Sequence, residues 1–203
     1  IQKCNFEPRP SGPRFFMRNF TEITDKNFEQ AALEMYRHQY ANNEVYGQFC
    51  DLIKRTPETV NALKNIPFLP VELFKNHEII TGAFSPEATF TSSTTSGGTP
   101  SKHHVKELAH YEKVYVEGFQ REFGALENWT ILALLPSYLE RSGSSLVAMA
   151  EGMIKRSTKE ESGFYLYNHG ELAEVLQRLQ KQQRPTLLMG VTFGLLDFAE
   201  SIY

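Results

Sequence analysis

Apolar side chains in the first third of the chain recur at helical spacing. Between Thr24 and Asn42 they follow one another at steps of three and four residues, which is the pattern of one helix face: Phe28, Ala31, Ala32, Met35, Tyr36 and Tyr40. Asn42 and Asn43 interrupt this pattern. A second helical pattern then carries Val45, Phe49, Leu52 and Ile53.

A third helix is predicted from Thr56 as N-cap and Pro57 as first helical residue, with helical structure up to about Asn65. The segment Ile66–Pro70 contains two prolines, and each residue before a proline is pushed towards extended geometry. We therefore expect an extended elbow there, followed by a short turn at Val71–Phe74.

Beyond Phe74 short apolar runs alternate with helical patterns. Strands are predicted at Glu78–Thr81, Ala88–Thr91, Thr130–Leu135, Phe164–Tyr167 and Thr186–Met189, and helices along the stripe Leu108, Tyr111, Tyr115, Phe119 and Phe123, at Ser145–Ile154, at Glu171–Gln182 and after Thr192. This alternation is typical of right-handed crossovers in a mostly parallel sheet. The predicted fold class is α/β, with a helical N-terminal subdomain (about 24–75) before an α/β part (about 76–203).

Composition narrows the possible functions. The 203 residues are 41% hydrophobic and 22% charged, as in an ordinary globular domain. The 21 Lys and Arg against 24 Asp and Glu leave a charge of −3, which argues against nucleic acid as a partner. The longest apolar run, Ile131–Leu135, is far too short to span a membrane, so we expect a soluble, cytoplasmic protein. Cys4 and Cys50 lack metal-site spacing and are expected to be reduced thiols.

Residues 1–16 differ in composition from the rest of the chain. They carry Pro8, Pro10, Gly12 and Pro13 without helical or alternating periodicity. We expect a flexible leader, with the domain beginning at Met17.

The candidate chemistry concentrates between Phe90 and Val105, in the run FTSSTTSGGTPSKHHV. Its hydroxyl-rich loop, Ser92–Ser101, lies between a predicted strand and a predicted helix. Hydroxyls, glycine N–H groups and a lysine can wrap phosphate oxygens, although such a composition is also that of a surface linker. The spacing GxxxxGK[ST] of a Walker A loop is not present. The adjacent His103 and His104 point oppositely in an extended segment, so histidine ligation of a metal is not indicated.

A second candidate segment, Pro136–Ser145, follows an apolar strand and begins a helix, which places it at the carboxyl end of the sheet. Arg141 is a candidate to pair with a carboxylate or phosphate, and Ser144 to cap the helix. Glu140, Arg141 and Ser144 are therefore candidate substrate-binding residues, with a capped loop carrying a surface ion pair as the alternative. There is no G-x-S-x-G motif, which argues against a serine hydrolase.

The order of residues in the hydroxyl-rich loop resembles the phosphate-binding loop of adenylate-forming enzymes. Together with its surroundings it resembles the acyl-protein synthetase family of the bacterial luminescence (LuxE) type. The segments that carry this resemblance run from Asn27 to Glu200: NFEQAALEMYRHQYANNEVYGQFCDLI, IPFLPVELFKNHEI, the hydroxyl-rich loop, LLPSYLERSGSSLVAMAEGMI and LLMGVTFGLLDFAE. The resemblance implies the fold of the N-terminal domain of adenylate-forming enzymes.

The resemblance also implies roles for individual residues. The loop residues would hold the ATP phosphates, with Lys102 as the basic, candidate catalytic residue: Ser92, Ser93, Thr94, Thr95, Ser96, Gly97, Gly98 and Thr99. Ser96 stands where the family has threonine, and Thr94 where it usually has glycine. A β-branched residue strongly disfavours positive φ. If the loop needs a positive φ at this position, Thr94 is expected to weaken ATP binding.

The implied activity is ATP-dependent activation of a carboxylic acid, with a long-chain fatty acid expected, as an acyl-adenylate. Transfer of the acyl group to a thiol or acceptor protein would follow, with Mg²⁺ accompanying ATP. The chain is expected to be the N-terminal portion of a longer ligase and to have little activity alone. Two alternatives stay open: a catalytically inactive nucleotide- or acyl-binding module, and an acyltransferase that needs no ATP.

Overall fold

The computed structural model describes residues 23–92, 99–135 and 143–202. They divide into two compact units, one formed by 23–85 and 99–104 and the other by 86–92, 105–135 and 143–202. The predicted leader lies outside the described residues. In chain order the elements are α1 (Phe28–Asn42), α2 (Glu44–Leu52), α3 (Leu73–Asn76), β1 (Ala88–Thr91), β2 (Lys102–Val105), α4 (Leu108–Phe123), β3 (Thr130–Leu134), α5 (Ser145–Ser157), β4 (Gly163–Phe164), α6 (His169–Lys181), β5 (Thr186–Gly190) and α7 (Thr192–Ser201).

The first two helices lie where the apolar periodicity predicts them. The predicted break is confirmed, because α1 ends at Asn42 and Asn43 is the N-cap of α2. The Asn43 side chain accepts a hydrogen bond of 3.0 Å from the backbone N–H of Tyr46. This satisfies one of the N–H groups that the first turn of a helix leaves without a partner.

Two tyrosines fix the chain that comes after these helices. The buried cluster of the first unit contains Tyr36, Tyr46, Cys50 and Val60, and Cys50 is a free cysteine. Tyr36 donates to the carbonyl of Arg55 and Tyr46 to that of Pro67, each at 2.7 Å. The predicted extended elbow at 66–70 is confirmed, with no helix or strand between those residues. The Tyr46 hydroxyl thus anchors the elbow to α2.

The predicted third helix is wrong. The N–H groups of Thr59 and Val60 both bond to the carbonyl of Thr56, which makes a single turn, and a short 3₁₀ helix follows at Leu63–Asn65. The Thr59 hydroxyl bonds to the Thr56 N–H and to nearby carbonyls. Such local side-chain bonds compete with helix propagation, and the complete burial of Val60 turns the chain inward.

The strand predicted at Glu78–Thr81 is also wrong. The Thr81 hydroxyl donates to Gln39 at 2.6 Å and accepts from Asn43 at 3.2 Å, and the N–H of Gly82 donates to the carbonyl of Asn42 at 2.8 Å. These bonds hold the segment against the end of α1 instead of in a strand ladder. In contrast, β2 was not predicted, because its sequence KHHV lacks apolar alternation.

The second unit confirms the α/β class. Its three strands are parallel in the order β4-β3-β5, and β3 pairs with β5 along its whole length, from Thr130 opposite Thr186 to Leu134 opposite Gly190. Strand β4 is shorter than predicted. Every residue of β3 is buried. Side chains of one β3 face pack with α6 and α7, and those of the other face with α4 and α5.

The chain order identifies a switch point in this sheet. From β3 the chain passes through α5 to β4 at one edge, and from β4 through α6 to β5 at the opposite edge. The helices that follow β3 and β5 therefore cover opposite faces. In α/β proteins, ligands bind beyond the carboxyl ends of such neighbouring strands.

An ion pair joins the amino ends of the three strands. Arg184, just before β5, contacts Glu161 at 2.6 Å and donates to the Thr130 hydroxyl at 3.2 Å. Glu161 lies just before β4, and Arg178 approaches it at 3.6 Å. The hydrogen bond from Arg184 holds the pKa of the Glu161 carboxyl below its usual value of 4.5. When Glu161 is ionised, the ion pair therefore holds the amino ends of β3, β4 and β5 next to one another.

We expect Glu161→Gln to lower the free energy of unfolding at pH 7 by about 1 kcal/mol. Because the pKa of Glu161 is lower in the folded state, its contribution is full above pH 4.5 and is lost as the pH falls through the folded-state pKa. The difference between variant and parent in urea unfolding should therefore shrink as the pH is lowered from 7 into the range below 4.5. Glu151→Gln, which removes an exposed pair with Lys155, is the control and should change stability less. An equal effect of both variants would contradict the prediction.

Candidate functional site

The structure connects the two segments that carry the candidate chemistry. The backbone N–H of Thr91, the last residue of β1, donates to the carbonyl of Gly143 at 2.9 Å. Thr91 directly precedes the hydroxyl-rich loop, and Gly143 directly follows residues 136–142. One main-chain hydrogen bond thus holds the start of the first segment beside the end of the second, beyond the carboxyl end of β3.

The backbone at this contact requires glycine. Gly143 has a φ of +88°, which disfavours any residue with a Cβ. A Cβ built there would lie 3.3 Å from both the Thr89 carbonyl oxygen and the Thr91 Oγ1. The glycine therefore permits both the turn into α5 and the close approach of β1.

Ser144 is the N-cap of α5. Its Oγ accepts a hydrogen bond of 3.3 Å from the N–H of Val147, so the predicted cap is confirmed. The N-terminus of a helix carries partial positive charge and unpaired N–H groups, which favour anions. The α5 N-terminus is thus a chemically suitable place for a phosphate or a carboxylate.

The opposite end of β1 contacts the N-terminus of α4. The Glu87 carboxylate accepts from the N–H of Leu108 at 2.7 Å, and the Glu87 N–H donates to the carbonyl of Val105 at 2.9 Å. Glu107, the residue in the N-cap position, makes no capping bond. The sequence gives no local signal for Glu87, because it caps a helix that begins 21 residues later.

The predicted site residues fall into three groups. Ser92 and Ser144 belong to the second unit and each directly follows one of the two bonded residues, Thr91 and Gly143. Thr99 and Lys102 belong to the first unit, and both are exposed. The remaining predictions lie outside the described residues: Ser93, Thr94, Thr95, Ser96, Gly97, Gly98, Glu140 and Arg141.

Residues 23–92, 99–135 and 143–202 contain neither a cluster of metal ligands nor a candidate membrane span. Within these ranges no group of three or more His, Cys, Asp or Glu side chains is arranged to hold a metal ion. None of the helices there combines the length and apolar character that crossing a membrane requires.

The fold and the contact between β1 and α5 define an α/β protein with a candidate anion site at the switch point of its sheet. Comparison with known families gives a more specific assignment. Residues 17–115 match the family model "Acyl-protein synthetase, LuxE", in agreement with the resemblance that the sequence motifs carry. Searches of curated proteins and of solved structures found no match. By its description, that family consists of acyl-protein synthetases.

We expect Gly143→Ala to lower the free energy of unfolding by about 2 kcal/mol or more, because it combines backbone strain with crowding against β1. Gly82→Ala is the matched control. Gly82 also has a positive φ, of +76°, but its Cβ would meet no atom within 4 Å. The free energy of unfolding of the control should fall by about 1 kcal/mol, from backbone strain alone. Equal losses of unfolding free energy in the two variants, measured by denaturant titration, would show that crowding against β1 does not destabilise Gly143→Ala.

Proposed function

We propose that this chain activates a carboxylic acid with ATP and prepares its acyl group for transfer. The supporting observation is the hydrogen bond between Thr91 and Gly143, because it puts the start of the hydroxyl-rich loop beside the N-terminus of α5. The family match supports the same activity, since residues 17–115 include the whole loop and Lys102. The expected acid is a long-chain fatty acid.

The donors available fit the phosphates of ATP. In the second unit, Ser92 and Ser144 supply hydroxyl groups and the first turn of α5 supplies backbone N–H groups. Such donors bind phosphate oxygens and stabilise the charge that develops on them. From the resemblance, we assign phosphate binding to the hydroxyl-rich loop, which includes Thr99, and to Lys102, and substrate binding to Glu140, Arg141 and Ser144.

The proposed activation step is a displacement at the α-phosphorus. A carboxylate oxygen of the acid forms a bond to the α-phosphorus, and the bond to the bridging oxygen of the β-phosphate breaks. The products are an acyl-adenylate and pyrophosphate. Lys102 and the loop donors would neutralise charge on the phosphates as it develops, which is where preorganised donors contribute most to rate.

Mg²⁺ belongs to this proposal through the nucleotide. Magnesium keeps several waters and is usually held by one or two carboxylates together with substrate phosphates. A dedicated protein cage is therefore not required. When bound with ATP, the ion would neutralise the leaving pyrophosphate.

Transfer to a second substrate completes the proposed reaction. A thiolate or other nucleophile of the acceptor would attack the acyl carbonyl carbon, and AMP would leave with the bonding electrons. An acceptor protein agrees with the family, in which the product is an acyl-protein.

The experiment that tests the proposal is ATP–pyrophosphate exchange with a panel of fatty and short carboxylic acids. We expect acid-dependent exchange that Lys102→Ala lowers by about 100-fold, because one charge-stabilising donor is removed. Lys106→Ala is the matched control, since Lys106 is an exposed lysine paired with Glu107. It should leave the exchange rate unchanged.

Other outcomes would contradict the proposal. ATP binding without exchange would indicate a catalytically inactive nucleotide-binding module. Acyl labelling from an acyl-thioester in the absence of nucleotide would indicate an acyltransferase that needs no ATP. A Lys102→Ala variant as active as the parent would remove that residue from the site.

A further inference from the structure

Tyr111 connects the end of β1 to the beginning of α5. Its ring packs on Phe90, with centroids 5.1 Å apart, and Phe90 is buried within β1. Its hydroxyl donates to the carbonyl of Ser145 at 3.0 Å. Tyr111 lies on α4, so a third element joins the two that carry the hydrogen bond between Thr91 and Gly143.

The bond to Ser145 acts on the part of α5 that the candidate site uses. Ser145 is the first residue of the helix and follows the cap residue Ser144. A carbonyl oxygen has two lone pairs, so that of Ser145 can accept a hydrogen bond from Tyr111 and a second one from an N–H group of its own helix. Burial raises the pKa of the Tyr111 hydroxyl, which keeps it protonated and able to donate at neutral pH.

The two contacts of Tyr111 restrain different movements. The tilted ring contact with Phe90 limits movement of β1 away from α4, and the hydroxyl limits movement of the α5 N-terminus away from α4. The hydrogen bond between Thr91 and Gly143 survives only if both elements stay in place. Tyr111 is therefore arranged to keep that bond formed.

We propose that Tyr111 is a positioning residue for the nucleotide site, which holds the α5 N-terminus at a fixed place relative to the start of the hydroxyl-rich loop. This inference rests on the proposed function, because it assumes that Ser92, at the start of that loop, and the N-terminus of α5 bind the same nucleotide. Tyr111 acts through Phe90 and Ser145 and needs no contact with the nucleotide.

The chain contains matched controls for a tyrosine hydroxyl that bonds to a carbonyl. Tyr36 makes such a bond to Arg55 in the first unit. Tyr36→Phe therefore removes the same chemical group and reports the effect of lost stability alone. Tyr115 lies one turn from Tyr111 on α4, with ring centroids 5.5 Å apart, so Tyr115→Phe reports the effect of a change on the same helix face.

The experiment measures two properties of Tyr111→Phe and of both controls. The first is the Kd for ATP with Mg²⁺, together with KM and kcat in pyrophosphate exchange. We expect Tyr111→Phe to raise the Kd and KM for ATP about three- to tenfold, the range that loss of one hydrogen bond supports, with kcat nearly unchanged. The second is amide hydrogen exchange, which should accelerate at Thr91 and Val147 in this variant only.

Each outcome of this experiment either supports or contradicts the positioning role of Tyr111. Weaker ATP binding in Tyr111→Phe but not in Tyr36→Phe or Tyr115→Phe, with faster exchange at Thr91, supports the positioning role. Unchanged ATP binding in Tyr111→Phe, or equal weakening in Tyr36→Phe, overturns that role alone. A parent chain that binds no ATP overturns the proposed function, and the positioning role fails with it.

Discussion

The burial of β3 on both faces is the constraint on which the second unit depends. A strand without an exposed side requires apolar residues at every position, hydrogen-bonded neighbours along both edges and a helical layer above and below. The sequence TILAL meets the first requirement except at the buried Thr130, whose hydroxyl accepts a hydrogen bond from Arg184, and β4 and β5 meet the second. Because α5 packs against this strand, burial of β3 also constrains the position of α5.

The candidate site combines a hydrogen-bonded frame with the loop to which the proposed chemistry is assigned. The frame consists of β1 and the first turns of two helices, joined at Glu87, Tyr111 and Gly143. None of these three residues belongs to a recognisable phosphate-binding motif. They would contribute by fixing positions, which matters because misplacement of a binding group by about 1 Å can cost 100-fold in rate.

Elements that rest on local periodicity were predictable from the sequence, and contacts between distant residues were not. Helices α1, α4, α5, α6 and α7 and strands β1, β3 and β5 lie where the apolar pattern predicts them, within a few residues. The errors at 56–65 and 78–81 come from side-chain bonds of Thr59 and Thr81 that no periodicity records. The Ser144 cap was predictable because its partner is three residues away. Glu87 and Tyr111 were missed because their partners are 21 and 34 residues away.

The contact between Thr91 and Gly143 uses only backbone atoms. The two positions nevertheless differ in the substitutions that they tolerate. A main-chain N–H is present in every residue except proline, so position 91 can accept many side chains without loss of the contact. Position 143 cannot, because a φ of +88° strains any residue with a Cβ, and that Cβ would be crowded at 3.3 Å from two oxygens. The sequence after Thr91 is therefore free to diversify among related chains, provided that a glycine persists on the opposite side of the hydrogen bond.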